Sequence, residues 1–340
     1  MNEKKKIYVA YTGGTIGMKQ SNQGYRPMEG FLTEAIKEKA DLFHPEMPTF
    51  DICEYSPLLD SSNMAPSDWR RIAQDVQSRY EDYDGFVILH GTDTMAYTAS
   101  ALSFLFENLS KPVIVTGSQI PLSALRSDGH TNLLNALYIA AHHPIPEVGL
   151  FFDNVLYRGN RSTKAHSDGF SAFRSPNFDP LLEAGITIKN YSTTDHSLKG
   201  SPPLSLKVAN VTPQNVAVFT LYPGINHEII EHTLAQPVRA LILRTYGVGN
   251  APETPSLLKT LQKADEQGIL IVNLSQCFKG RVNMDGYATG KALADIGVVS
   301  GQDMTLEATL TKLHYLLSQP LSHEKRKIQV LTNLRGELSP

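Results

Sequence analysis

The sequence contains few cysteines and few charged residues for its length. Two cysteines, Cys53 and Cys277, occur among 340 residues, which excludes a small scaffold held together by disulfides. Charged residues make up 19% of the chain against about 25% in typical domains, and 41% of residues are apolar, so a disordered chain is excluded. The 31 basic residues do not outnumber the 34 acidic ones, and no Lys or Arg block is long enough to follow a phosphate backbone. We therefore expect a small-molecule partner and no nucleic acid.

The sequence also lacks a long hydrophobic run. No stretch of about 18 uninterrupted apolar residues occurs, which argues against a membrane span. The basic start of the chain is followed by an apolar run covering only residues 7–11, which is too short for a secretory signal peptide. These features predict a cytoplasmic protein that has no membrane partner.

Short apolar runs alternate with segments of helical periodicity, and this alternation predicts an α/β fold with a mostly parallel sheet flanked by helices. The length predicts about two domains. In the first, the predicted strands are 7–11, 50–55, 86–90, 113–116 and 148–152, and the predicted helices are 30–39, 66–80, 94–109 and 127–141. We expect a larger N-terminal catalytic domain at residues 1–190, a linker rich in Ser, Thr, Pro and Lys at 191–212, and a second domain at 213–340.

The second domain is expected to be a smaller, flavodoxin-like α/β unit. Its predicted strands are 216–221, 240–243 and 268–274, and its predicted helices are 226–235, 254–267 and a closing helix at 306–317. The basic segment 324–327 near the end of the chain is predicted to be a solvated face.

Polar segments follow five successive strands of the first domain. Ligands bind beyond the carboxyl ends of parallel strands, because loops and helix N-termini converge there. The segments are 12–17, 60–63, 91–94, 117–119 and 158–164. Together they bring hydroxyl groups, one carboxylate and one ammonium group to a single edge of the sheet.

These segments lack the patterns of several other sites. No Cys, His and Asp cluster has metal-ligand spacing, no Walker loop occurs, and the glycines of residues 13–17 depart from the dinucleotide pattern. What remains is hydroxyl chemistry at Thr15 and Thr92, near Asp93 and Lys164. A neutral threonine is a poor nucleophile unless a base takes its proton, and a lysine coupled to a carboxylate is one candidate. Alternatively, both threonines are ordinary turn or cap residues.

Two long segments resemble the signature motifs of the bacterial-type asparaginases. They are residues 9–17, VAYTGGTIG, and residues 85–95, GFVILHGTDTM. The resemblance continues through segments 60–64, 116–119, 162–164 and 244–250, and it covers nearly the whole chain. It is strongest to the type I, cytoplasmic branch of the family.

This resemblance implies hydrolysis of the side-chain amide of L-asparagine to L-aspartate and ammonia through an acyl-threonine, with no metal and no organic cofactor. Thr15 would be the nucleophile, on a mobile hairpin at residues 13–28 that also carries Tyr25 and closes over the substrate. Thr92, Asp93 and Lys164 would form a second, rigid triad.

The resemblance also implies how the substrate would be held. Asp93 would bind the α-ammonium group, and Ser61 and Ser62, in the segment that begins at Asp60, would bind the α-carboxylate. Backbone amides at Gly91 and Thr92 are candidates for the oxyanion site, since they lie at a helix start. Ser118 is a further candidate for substrate contact. The serine at position 62 stands where the exported branch commonly has glutamine.

Type I relatives can carry an effector site for the substrate amino acid. Thr163, Arg244 and Cys277 lie in segments that could line such a site between subunits. The alternatives are a salt bridge at a strand end for Arg244 and a buried small hydrophobic role for Cys277. The resemblance further implies a homodimer or homotetramer, and pocket size alone would leave weak glutaminase activity.

Two other functions stay open on sequence grounds. One is a non-catalytic amino-acid sensor that uses the same pocket. The other is the amidase subunit of an archaeal-type tRNA-dependent amidotransferase, which shares the same motifs.

Overall fold

The computed structural model describes residues 4–22, 24–192, 204–286 and 288–340. The chain forms two compact units, one of Met1–Ser175 with Asp179–Ala209 and one of Pro176–Phe178 with Asn210–Pro340. Residues 193–203 of the predicted linker lie outside the described part of the chain.

The first unit carries strands β1 to β14 and helices α1 to α4. The strands are β1 Lys6–Gly13, β2 Met18–Ser21, β3 Gly24–Pro27, β4 Thr49–Leu59, β5 Gly85–Leu89, β6 Phe106–Glu107, β7 Val113–Thr116, β8 Val148–Phe152, β9 Val155–Arg158, β10 Thr163–Lys164, β11 Phe173–Arg174, β12 Leu182–Ala184, β13 Ile188–Asn190 and β14 Lys207–Val208. The helices are α1 Phe31–Lys37, α2 Pro66–Ser78, α3 Met95–Leu105 and α4 Gly129–His142.

The main sheet of this unit has eight strands in the order β13-β12-β9-β8-β7-β5-β1-β4. Strands β4, β1, β5, β7 and β8 run parallel, which confirms the predicted mostly parallel sheet. Strands β5, β7 and β8 are wholly buried, as expected of apolar runs covered on both faces. Beyond them, β9, β12 and β13 extend the sheet in antiparallel fashion.

The second unit is a smaller α/β layer. Its elements are β15 Val216–Thr220, β16 Ala240–Thr245, β17 Leu270–Ser275, β18 Val299–Ser300, α5 His227–Leu234, α6 Pro255–Glu266, α7 Ala288–Asp295, α8 Leu306–Ser318 and α9 His323–Leu331. The four strands are all parallel, in the order β15-β16-β17-β18. One apolar core includes side chains of α5, α6 and α7, and another includes those of α8 and α9.

Of two predictions for the end of the chain, one was wrong, and the other, the solvated face at 324–327, was right for the exposed Glu324 and Lys325. The helix at 306–317 does not close the fold, because α9 follows it and buries Val330. Lys327, predicted to lie on a solvated face, pairs its Nζ with Asp265 Oδ1 at 2.7 Å. An aliphatic stem and one partly buried partner are enough to hold such a basic residue against a neighbouring helix.

None of the helices in the described residues has the length and apolar character needed to cross a bilayer.

Candidate active site

Three backbone segments meet at the carboxyl edge of the main sheet, where β1, β4 and β5 end. A Cβ atom on Gly14 would lie 2.4 Å from the Gly91 amide nitrogen, and one on Gly91 would lie 2.4 Å from Ser61 Oγ. Gly14 also has a φ of 95°, a conformation that favours glycine. The three segments therefore approach so closely because two of their residues lack side chains.

Thr15 begins a short 3₁₀ helix directly after this contact. The helix covers Thr15–Gly17 and buries Ile16. Upstream, the Tyr11 hydroxyl donates to the Gly14 carbonyl at 3.1 Å. Thr15 is thus placed beside the contact between Gly14 and Gly91.

Strands β2 and β3 form an antiparallel hairpin immediately after this 3₁₀ helix. Tyr25 lies opposite Gln20 and is 49% exposed. Every residue of β3 is exposed.

Lys164 joins Thr92 and Asp93 into one cluster. Its Nζ donates to Thr92 Oγ1 at 2.9 Å and to Asp93 Oδ1 at 2.7 Å. The Lys164 side chain is 19% exposed and that of Asp93 is 65% exposed. The structure therefore brings together the three residues of the predicted rigid triad, with the carboxylate accessible to a ligand.

Gln119 is a fourth member of this cluster that sequence reasoning did not single out. Thr92 Oγ1 donates to Gln119 Oε1 at 3.1 Å, and Gln119 Nε2 donates to the Gly169 carbonyl at 3.0 Å. The Asp128 carboxylate accepts from the Gln119 backbone N–H at 2.9 Å. Burial raises the pKa of Asp128, and this backbone hydrogen bond opposes the rise. The position of Gln119 in the polar segment that follows β7 was the available signal.

The candidate residues that follow β4 form a second 3₁₀ helix, Ser61–Asn63. Ser61 is buried, and its carbonyl accepts from Thr94 Oγ1 at 2.7 Å. Asp60 Oδ1 accepts from the Ser62 backbone N–H at 3.0 Å, so its side chain caps the turn.

Ser118 and His90 are both buried at this edge. The Ser118 hydroxyl donates to the Ile120 carbonyl at 2.6 Å. His90 Nδ1 contacts the Gly91 carbonyl at 2.7 Å, so this nitrogen carries the proton, and Nε2 accepts from Thr98 Oγ1 at 2.8 Å. Burial lowers the pKa of His90 to about 4. His90 is therefore a neutral, hydrogen-bonded core residue and not a catalytic base.

The three effector-site candidates fall in different units. Thr163 lies in β10 of the first unit, whereas Arg244 and Cys277 belong to the second. Arg244 makes no ion pair within the described residues, so the salt-bridge alternative finds no support there. Cys277 is exposed in a turn after β17, where its backbone N–H donates to Ser275 Oγ at 3.0 Å. The alternative of a buried Cys277 was therefore wrong.

Within the described ranges, no group of three or more His, Cys, Asp or Glu side chains is arranged to hold a metal ion.

Two family models cover most of the chain. The model for the asparaginase N-terminal domain matches residues 6–196, and that for the glutaminase/asparaginase C-terminal domain matches residues 215–329. L-asparaginase 1 of Escherichia coli (strain K12) is 61% identical over 343 residues, covering 99% of both chains. The crystal structure of L-asparaginase I from Vibrio cholerae is 59% identical with a TM-score of 0.92, covering 99% of this chain and 100% of that one. The thermostable L-asparaginase from Thermococcus kodakarensis is 29% identical with a TM-score of 0.88, covering 98% and 99%. The resemblance expected from the sequence motifs is confirmed, and the chain belongs to the asparaginase family.

Proposed function

We propose that this protein hydrolyses the side-chain amide of L-asparagine to L-aspartate and ammonia. The observation that carries the proposal is the Lys164 ammonium group, which donates to both the Thr92 hydroxyl and the Asp93 carboxylate at the sheet edge. The relatives named L-asparaginase, at 61% and 59% identity, support the same reaction.

The charges at this edge suit a zwitterionic amino acid. The exposed Asp93 carboxylate is available for the α-ammonium group. The 3₁₀ turn at Ser61–Asn63, next to Gly91, offers serine hydroxyl donors for the α-carboxylate, whereas the backbone N–H groups of Ser62 and Asn63 already donate to Asp60. An anion and a donor cluster therefore lie side by side, as binding of both charged groups requires.

The reaction has two steps in this proposal. The Thr15 oxygen attacks the amide carbonyl carbon, the C–N bond breaks, and ammonia leaves with the transferred proton. Water then cleaves the ester of Thr15, which releases L-aspartate and restores the hydroxyl. Backbone N–H groups at Gly91 and Thr92 would stabilise the oxyanion of each step, because they lie just before α3.

The hairpin of β2 and β3 would close over the bound substrate. Thr15 lies in the 3₁₀ helix directly before it and Tyr25 on its second strand, so closure would complete the site and exclude water. The triad around Lys164 is built on other segments and would stay in place.

Ammonia release from L-asparagine tests the proposal. We expect Thr15→Val and Thr92→Val each to lower the rate at least about 100-fold, because each removes a hydroxyl group from the reaction path. Thr332→Val is the matched control, since within the described part of the chain that hydroxyl donates to the Ile328 carbonyl in α9. An inert wild type, or full activity in both site variants, would overturn the proposal.

The proposal extends to substrate selectivity, oligomeric state and regulation. We expect weak glutaminase activity, because one extra methylene costs only about 1 to 3 kcal/mol of discrimination. We also propose a cytoplasmic homodimer or homotetramer, with an effector site between subunits to which Thr163, Arg244 and Cys277 contribute. Hyperbolic saturation by asparagine at every enzyme concentration would contradict the effector site.

The same assay separates the alternative functions. A non-catalytic sensor would bind asparagine without releasing ammonia. An amidotransferase subunit would release ammonia efficiently only with its partner subunit and a charged tRNA.

A further inference from the structure

Helix α1 follows the hairpin of β2 and β3, and its N-terminus is bound by a carboxylate that is distant in sequence. Glu54, in β4, accepts from the Gly30 backbone N–H at 2.6 Å through Oε2. Its other oxygen accepts from the Thr33 backbone N–H at 3.0 Å and from the Thr33 hydroxyl at 2.6 Å. One side chain of the sheet thus makes three hydrogen bonds to the chain just beyond the hairpin.

This arrangement replaces a local helix cap. Gly30 is the N-cap of α1 and has a left-handed φ of 76°, so it has no side chain that could cap the helix. The first N–H groups of a helix need an acceptor from elsewhere. A Cβ on Gly30 would meet nothing within 4 Å, so the backbone conformation and not crowding accounts for the glycine.

The other end of the hairpin is held by the neighbouring strand. The Tyr11 hydroxyl donates to the Gly14 carbonyl, and a Cβ on Gly17 would lie 2.3 Å from that hydroxyl. Tyr11 and Glu54 are register partners in the parallel pair of β1 and β4, so their side chains emerge on the same face of the sheet. Burial, and after it the charge of Glu54, raise the pKa of Tyr11, which keeps this hydroxyl a donor.

Beyond the 3₁₀ helix with its buried Ile16, the described residues of the hairpin have little packing of their own. All of β3 is exposed, and a Cβ on Gly24 would meet nothing within 4 Å. On β2, Lys19 Nζ lies 5.5 Å from the centre of the Phe31 ring. Segments with few buried contacts open at low free-energy cost, so the position of the hairpin depends strongly on its two ends.

We infer that Glu54 is a positioning residue for the reaction, which together with Tyr11 fixes the two ends of the hairpin that carries Thr15 and Tyr25. The inference rests on the proposed function, because it assigns the hairpin a part in the chemistry. Glu54 acts through Gly30 and Thr33 and does not touch the substrate.

Limited proteolysis tests the anchor without any assay of activity. Trypsin can cut after Lys19 and chymotrypsin after Tyr25, and both sites lie on the hairpin. We expect Glu54→Ala to speed both cuts severalfold, and Glu54→Gln to have an intermediate effect. The glutamine keeps one acceptor for Thr33 but presents an NH₂ group to the Gly30 N–H. Asp51→Asn is the matched control, because this carboxylate of the same strand contacts Lys6 and Tyr83 instead.

Steady-state kinetics test the link to the reaction. We expect Glu54→Ala to lower kcat about tenfold while KM changes much less, because the proposed groups for the substrate charges lie outside the hairpin. Glu54→Gln should recover part of kcat, and Asp51→Asn should match the wild type. Thr15→Val should lose activity yet be cut at the wild-type rate, since Thr15 is not an anchor.

The outcomes separate this inference from the proposed function. Unchanged cutting rates in folded Glu54→Ala and Glu54→Gln would overturn the anchor, and faster cutting with unchanged kcat would overturn its role in catalysis. An inert wild type would refute the proposed function, and the cutting rates would still decide whether Glu54 holds the hairpin.

Discussion

At the scale of single residues, the geometry of the site depends on two glycines, Gly14 and Gly91, as much as on the residues that carry reactive side chains. The backbones around Gly14 and Gly91 and the side chain of Ser61 meet at distances that leave no room for a further carbon. This contact places the Thr15 segment next to the segment that carries Thr92.

Gly91→Ala tests this arrangement. The new Cβ would lie 2.4 Å from Ser61 Oγ and 2.7 Å from Ser61 Cβ, so Ser61 must move. We expect kcat/KM for asparagine to fall at least about tenfold, because a shift of about 1 Å in a positioned group is costly. Gly185→Ala is the control, since its Cβ would meet a single atom at an ordinary 3.6 Å. Equal kinetics in the two variants would refute the crowding argument.

At the scale of elements, a buried lysine holds the last helix in place. Lys312, on α8, donates to the carbonyls of Val330 and Thr332 at 2.9 and 2.7 Å, which lie at the end of α9. Its third partner is Glu337 Oε1 at 2.5 Å, and Glu337 also accepts from the Arg335 backbone N–H. Burial lowers the pKa of Lys312, and the charge of Glu337 opposes this. Every proton of the ammonium group thus has an acceptor inside the fold.

Lys312→Met is expected to destabilise the second unit by about 3 to 5 kcal/mol, because it leaves Glu337 as a buried charge without its partner. Urea unfolding followed by circular dichroism would measure the loss. Trp69 is the single tryptophan, so its fluorescence reports on the first unit and serves as an internal reference. Lys37→Met, which breaks an exposed pair with Glu34, should cost at most about 0.5 kcal/mol. Similar losses in the two variants would contradict the assigned role.

Sequence reasoning located the elements around the site better than it located the contacts between them. Thr92, Asp93 and Lys164 could be expected to meet, because apolar runs identified parallel strands and such strands share one carboxyl edge. Gln119 and Glu54 were missed, since their partners depend on the path of a loop and on strand register. The strands β12 and β13 are three residues each, too short for a periodic signal. Helix α9 was missed because all of its first five residues are charged or histidine, and its apolar face is narrow.

At the scale of the whole molecule, buried neutral histidines couple the stability of both units to pH. His90 belongs to the first unit, and His314 to the second, where its Nδ1 accepts from the Gln214 backbone N–H at 3.1 Å. Burial lowers the pKa of both. At pH values between the folded and the unfolded pKa, the unfolded state binds more protons than the folded state. The stability that each neutral histidine contributes is therefore complete above about pH 6.5 and is lost as the pH falls. Asp128 has the opposite effect on stability, because burial raises its pKa and the folded state then binds more protons than the unfolded state.

The free energy of unfolding should therefore be lower at pH 5 than at pH 7. For His90, with a pKa near 4 against 6.5, the expected loss at pH 5 is up to about 2 kcal/mol. Urea unfolding at both pH values, followed by Trp69 fluorescence, measures it in the first unit. His90→Gln should reduce the pH dependence there, whereas His314→Gln should leave that signal as in the wild type. A pH dependence that survives His90→Gln in full would contradict the assignment.

The central claim is that Thr15 and not Thr92 carries the acyl group, and the covalent intermediate tests it most directly. Acid-quenched mixtures of enzyme and L-asparagine can be digested with trypsin and mapped by mass spectrometry, since Thr15 falls in peptide 7–19 and Thr92 in peptide 80–126. We expect Thr92→Val to carry one aspartyl group on Thr15 and Thr15→Val to carry none. An aspartyl group on Thr92 in the Thr15→Val variant would contradict it.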